Sequence, residues 1–92
     1  MNNENVILAF LNKKAAQTPL RNIINGYYEY KGRTLQSNGL ELINYATRIA
    51  YHENNKIYLN IKKYSSTTSH IQSKIRRLAE KNNMQVVEYS EV

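Results

Sequence analysis

The stretch from Tyr64 to Asn83 constrains the fold most. A Ser/Thr-rich lead-in, Tyr64-Ser65-Ser66-Thr67-Thr68-Ser69, runs into a segment where Thr68, Ile71, Ile75, Leu78 and Ala79 recur at helical spacing. At about 100° per residue they share one face, the pattern of a helix laid on an apolar layer. Ser and Thr side chains accept hydrogen bonds from the free backbone N–H groups of a first turn, so the lead-in marks a helix start. Ser69 with Gln72 fits a capping box, and Ser66, Thr67 and Thr68 are alternative caps. Asn82-Asn83 favours the left-handed backbone that closes a helix, and Lys81 complements its C-terminal dipole. The helix is therefore expected over 66–83.

The opposite side of that helix carries His70, Lys74, Arg77 and Lys81 at i, i+4, i+7 and i+11, a single basic stripe. Arg76 lies on another flank, where Glu80 one turn later is its expected partner; the only acid within helical reach of the stripe is Glu80, toward Arg77. A charged face opposite an apolar one is what any surface helix shows. An unneutralised cationic line is also what phosphates or an acidic protein surface would meet.

Upstream, Asn3 or Asn5 is read as the cap of a first helix that buries Val6, Ile7, Phe10 and Leu11 and ends at Lys13-Lys14, a strand being the rival for so short an apolar run. Thr18-Pro19 reads as cap and first position of a short second helix, with Leu20, Ile23 and Ile24 buried and Gly26 as terminator. From Tyr27 the period becomes two. Tyr28 and Tyr30 alternate with Tyr27, Glu29 and Lys31, a short strand covers 33–36, and Asn38-Gly39 is a hairpin signal.

A longer strand is expected over 42–52, with Ile43, Tyr45, Thr47, Ile49 and Tyr51 on one side and Arg48, Ala50 and His52 on the other. Its partner covers 56–64. Setting Tyr51 opposite Ile57 puts both apolar sets together and requires an odd loop, Glu53-Asn54-Asn55 with Asn55 left-handed; an even loop leaves apolar residues on both sides. In that register His52 faces Lys56, Ala50 faces Tyr58 and Arg48 faces Asn60. After the basic helix, a strand over 84–89 turns Val86 or Val87 inward and returns parallel to its neighbour. The expected fold is a single α+β domain spanning 1–92: two layers, a mainly antiparallel sheet of four to five strands, helices on one face, and a helical segment over 1–26.

The 92 residues suffice for one small core, and a homodimer would help a chain this size. Thirteen Lys and Arg stand against seven acids, all Glu, for a formal charge of +6. Such a balance favours polyanionic partners. The charge is concentrated: between Lys31 and Lys81 ten bases face only Glu41, Glu53 and Glu80. With no Cys there is no disulfide framework and no thiolate nucleophile. His52 and His70 are the only imidazoles, no Asp is present, and no Glu or His spacing makes a metal site, so neither an enzyme nor a metal or other cofactor is expected. Glycine is too scarce for a phosphate-cradling loop. The start, Met1-Asn2-Asn3-Glu4-Asn5, lacks the basic beginning of a secretory signal, and the run Val6 to Leu11 is too short to span a membrane, so a cytoplasmic protein without membrane contact is expected.

Two surfaces are candidates for binding. The first is the stripe of His70, Lys74, Arg77 and Lys81, for phosphates of DNA or RNA. The second is a sheet face bearing Arg48, His52, Lys56, Tyr58, Lys62 and Tyr64, where bases would stack on aromatic rings. The Tyr64-Ser65 lead-in with Thr67, Thr68 and His70 resembles a signature of small phage and plasmid proteins of low-GC Gram-positive bacteria. The Ser37-Asn38-Gly39-Leu40 turn leading to Thr47-Arg48-Ile49-Ala50 is similar to the same group, and the likeness spans Tyr27 to Leu78. The resemblance implies a mobile-element origin and transfers no catalytic residue. By analogy of size and context it implies an anti-defence role such as that of an anti-CRISPR, here a basic inhibitor engaging guide RNA or an acidic protein surface. The expectation is a non-enzymatic, basic nucleic-acid-binding protein, with a protein-binding inhibitor or homodimeric accessory factor as the alternative.

Overall fold

A computed structural model describes residues 1–25 and 28–91. In chain order the elements are α1 (Asn3–Leu11), β1 (Ala15–Gln17), β2 (Arg21–Asn25), β3 (Tyr28–Gly32), β4 (Leu35–Asn38), β5 (Glu41–Asn44), β6 (Thr47–Glu53), β7 (Lys56–Asn60), α2 (Ser66–Lys81) and β8 (Val86–Tyr89). Two helices pack on one face of a six-stranded sheet of order β1-β4-β5-β6-β7-β8. Every pairing is antiparallel except β7 with β8, the parallel return that α2 makes possible. Strands β2 and β3 form a separate antiparallel hairpin inserted between β1 and β4. The α+β, two-layer expectation holds at this level, with more strands than expected.

The core lies between the helices and the sheet. Val6, Ile7, Phe10 and Leu11 of α1 and Ile71, Ile75, Leu78 and Ala79 of α2 close over Leu35, Leu42, Ile49, Ala50, Ile57 and Leu59. Burying an aliphatic side chain such as Ile75, fully shielded from solvent, stabilises by about 1.5–3 kcal/mol. The α2 apolar face is the one its periodicity implies.

Several local features differ from the sequence reading. The expected helix from Thr18 is strand β2 instead. Thr18 does not cap: it is buried, its Oγ1 accepts from Leu35 N and donates to Leu35 O, both at 3.2 Å, and this pairing with β4 pulls Pro19 and Leu20 into an extended connection. Gly26 and Tyr27, read as terminator and first alternating residue, lie outside the described residues. Helix α1 is capped by Asn2, whose side chain accepts from Asn5 N at 2.9 Å, rather than by Asn3 or Asn5. Ser65, not Ser69 or its three alternatives, caps α2 by accepting from Thr68 N at 3.2 Å. At its far end Asn83 is left-handed, φ 57°, as expected.

The single strand over 42–52 is two strands joined at Tyr45-Ala46, where Tyr45 takes φ 55°. The side chain of Asn44 makes that bend affordable: its Nδ2 donates to Thr34 O at 2.8 Å and its Oδ1 accepts from Thr68 Oγ1 at 2.7 Å. Beyond it Leu42 pairs with Ala50 and Ile43 with Arg48, so Ile49 is an extra residue on β6. This bulge resets the alternation and lets both Ile49 and Ala50 be buried. The loop to β7 is then even, not odd: Glu53 pairs with Lys56, and Asn54 and Asn55 both adopt positive φ, the two-residue hairpin geometry. His52 consequently faces Ile57, Tyr51 faces Tyr58 and Ala50 faces Leu59, one residue out of the expected register. The penalty foreseen for an even loop does not arise, because the bulge has already moved Ile49 into the core.

Candidate nucleic-acid interface

Helix α2 is seated from below by a polar cluster at the end of β7. Asn60 is fully buried; its Nδ2 donates to Tyr64 Oη at 2.9 Å and to Glu91 Oε2 at 3.1 Å, while its Oδ1 accepts from Lys62 N at 3.0 Å. Gln72 reaches down from the helix, its Nε2 donating to Asn60 O at 2.7 Å and Lys62 O at 3.0 Å. With Ser65 holding the first turn and Thr68 bonded to Asn44, the orientation of α2 about its axis is fixed. Its opposite side therefore faces outward.

On that side His70, Arg77 and Lys81 are exposed and Lys74 is half-buried. The four span eleven positions, about 16 Å at 1.5 Å per residue. Thr67, one turn before His70, continues the line toward the N-terminus of α1, where Asn3, Thr67, His70, Ile71 and Lys74 border a shallow hollow. Among the described residues no ion pair engages any member of the stripe; the two present are Arg48 with Glu41 at 3.2 Å and Arg76 with Glu88 at 2.7 Å. Arg76 thus pairs with β8 rather than with Glu80, because β8 returns beside β7 directly beneath that flank.

The second candidate surface is only partly assembled. His52 leaves it: its ring lies on the helix side, 4.5 Å from the Phe10 ring centre, with Nε2 donating to Phe10 O at 2.6 Å. Arg48, Lys56 and Tyr58 stay on the open face, with Lys62 and Tyr64 at its end. Tyr51, assigned to the core by the sequence reading, joins them. Tyr51 and Tyr58 stack with ring centres 5.0 Å apart and planes 5° apart, Tyr89 leans on Tyr51 at 5.8 Å, and the Arg48 guanidinium sits 4.3 Å over the Tyr51 ring. Tyr51 is thus engaged by both Arg48 and Tyr58 within the cluster. Lys62 Nζ likewise lies 5.5 Å from the Tyr64 ring centre. The charge is balanced as well, with Glu41, Glu53 and Glu91 set against Arg48, Lys56 and Lys62.

The electrostatics of this face act on its own members. The hydrogen bond that Arg48 donates to Glu41 raises the Arg48 pKa above its ordinary value. Burial raises the Tyr89 phenol, partly offset by Arg48. Tyr51 and Tyr89 were missed because the bulge that turns Tyr51 outward has no Gly or Pro to announce it. Arg21, exposed on β2, was hidden inside an expected helix.

Among the described residues no group of three or more His, Cys, Asp or Glu is placed to hold a metal ion. No helix among them is long and apolar enough to cross a membrane. No family model, curated protein or solved structure matches the chain.

Proposed function

We propose that this is a non-enzymatic binding protein that contacts nucleic-acid phosphates through the α2 stripe of His70, Lys74, Arg77 and Lys81. The observation that carries the reading is the alignment of four basic groups on one helix face. Arg48 and Arg76 are each held by a glutamate, whereas the stripe lines up four basic groups over about 16 Å without an ion pair among the described residues. Duplex DNA presents a phosphate per strand about every 3.4 Å of its axis, so the stripe matches a run of backbone. Lys74, Arg77 and Lys81 position phosphates, and His70 adds a contact at the N-terminal end of the stripe. A mobile-element setting rests on the resemblance alone.

Fluorescence anisotropy with labelled DNA and RNA over a salt series tests this. Wild type should show a steep log–log salt dependence, and Lys74→Ala/Arg77→Ala should reduce the slope by about 1.8 on duplex DNA, two contacts at roughly 0.9 each. No binding at low salt to any nucleic acid would remove this reading and leave the inhibitor alternative, with an acidic protein surface as the stripe's partner.

A further inference from the structure

The β2–β3 hairpin contributes no described side chain to the core. Its described side chains, Arg21, Asn22, Ile24, Glu29 and Lys31, are all exposed, Ile24 at 74%. Its root is fixed: Thr18 is locked to Leu35, and Arg33 Nη1 donates to Thr18 O at 2.6 Å, so the ribbon leaves the body from a held base. The pairings Asn22 with Lys31 and Ile24 with Glu29 put those four residues on one face of the ribbon. Five residues per strand make an arm of about 17 Å.

The arm starts where the α2 stripe ends. A second hollow is bordered by Thr67, Asn3, Thr18 and Arg21, and shares Thr67 and Asn3 with the hollow beside His70 and Lys74. Basic groups therefore run from Lys81 through Arg77, Lys74 and His70, past Thr67, to Arg21 and Lys31. The whole molecule is 41 Å in its longest dimension, a little over one turn of B-DNA at about 34–36 Å.

We infer that arm and stripe form one track for double-stranded DNA, the α2 stripe and Arg21 on the phosphates and the face bearing Asn22, Ile24 and Lys31 in the adjacent major groove. This rests on the phosphate-binding reading of α2. A two-stranded ribbon fits the B-form major groove, about 12 Å wide, where asparagine reads adenine and an apolar side chain meets the thymine methyl. The A-form major groove of duplex RNA is too narrow and deep to admit it. A single strand is disfavoured because Tyr51, the centre of the aromatic cluster, is already engaged by Arg48 and Tyr58.

The test compares wild type, Arg21→Ala/Lys31→Ala and Lys74→Ala/Arg77→Ala on duplex DNA and duplex RNA of equal length, by anisotropy across salt. The arm variant changes only exposed side chains, and its thermal melt should match wild type, which excludes misfolding. It should weaken DNA binding tens-fold at 0.1 M salt and lower the DNA slope by about 2, whereas on RNA, where only the Arg21 phosphate contact is lost, the slope should fall by no more than about 1. Equal DNA slopes for wild type and the arm variant, with the stripe variant still impaired, would overturn the track and leave the phosphate reading standing. An arm effect equal on DNA and RNA would overturn groove insertion. If neither variant differs from wild type, both proposals fall together.

Discussion

Replacing Asn60 by Ala removes the polar centre on which α2 is seated. The side chain is fully buried and makes four hydrogen bonds: Nδ2 to Tyr64 Oη and Glu91 Oε2, and Oδ1 from Lys62 N and Glu91 N. At a net of about 0.5–1.5 kcal/mol each, with the outer partners free to take water instead, the loss is about 2–4 kcal/mol. A chain of this length is stable by about 5–14 kcal/mol, so the change removes a large share. Each kcal/mol corresponds to about 4–8 °C in a domain this small, and Asn60→Ala should melt roughly 10–25 °C below wild type by circular dichroism, with the urea m-value unchanged. Asn60→Asp adds a second test. Its new carboxylate faces the Glu91 carboxylate, which raises its folded pKa. The resulting stability is present at acid pH and is lost as pH rises through the carboxylate range. A melt of Asn60→Ala within about 4 °C of wild type would refute the idea that this cluster holds the helix.

Ser65→Ala should cost about 1 kcal/mol as loss of the true α2 cap, while Ser69→Ala, one of the caps that the sequence allows, should stay within about 0.5 kcal/mol in the same denaturation assay. Asn55 sits at φ 60° in the β6–β7 turn, so Asn55→Val should destabilise by about 1–2 kcal/mol, and Asn55→Gly should not destabilise. Burial raises the Tyr89 phenol above the usual value near 10. The unfolded chain then loses this proton first, so the contribution is complete below about pH 10 and is lost as pH rises through the folded value; in Tyr89→Phe the alkaline fall in melting temperature should be shallower.

What the sequence made legible is what periodicity and end signals specify directly. The apolar face of α2, its closure at Asn82-Asn83, the Asn38-Gly39 turn and the parallel return through Val86 were all readable because each rests on residues close together in the chain. What stayed hidden depends on long-range partners. Thr18 looks like a cap until Leu35 occupies its hydroxyl, and Ser65 and Ser69 differ as caps only once Thr68 is tied to Asn44. Tyr45 is not turn chemistry by itself; Asn44, bonded to Thr34 and Thr68, imposes the bend. The bulge at Ile49 inverted the expected faces of Tyr51 and His52 and with them half of the second candidate surface. The α2 stripe survived in place because a helix face is set within the helix, not by register.

The most direct measurement is a two-dimensional amide NMR titration of the ¹⁵N-labelled chain with duplex DNA at low salt. The expected result is a set of shifts running along His70, Lys74, Arg77 and Lys81, reaching Thr67 and Arg21, with Tyr51, Tyr58 and Tyr89 unmoved. Shifts confined to Tyr51, Tyr58 and Tyr89, with the α2 stripe silent, would contradict it and place the interface on the open sheet.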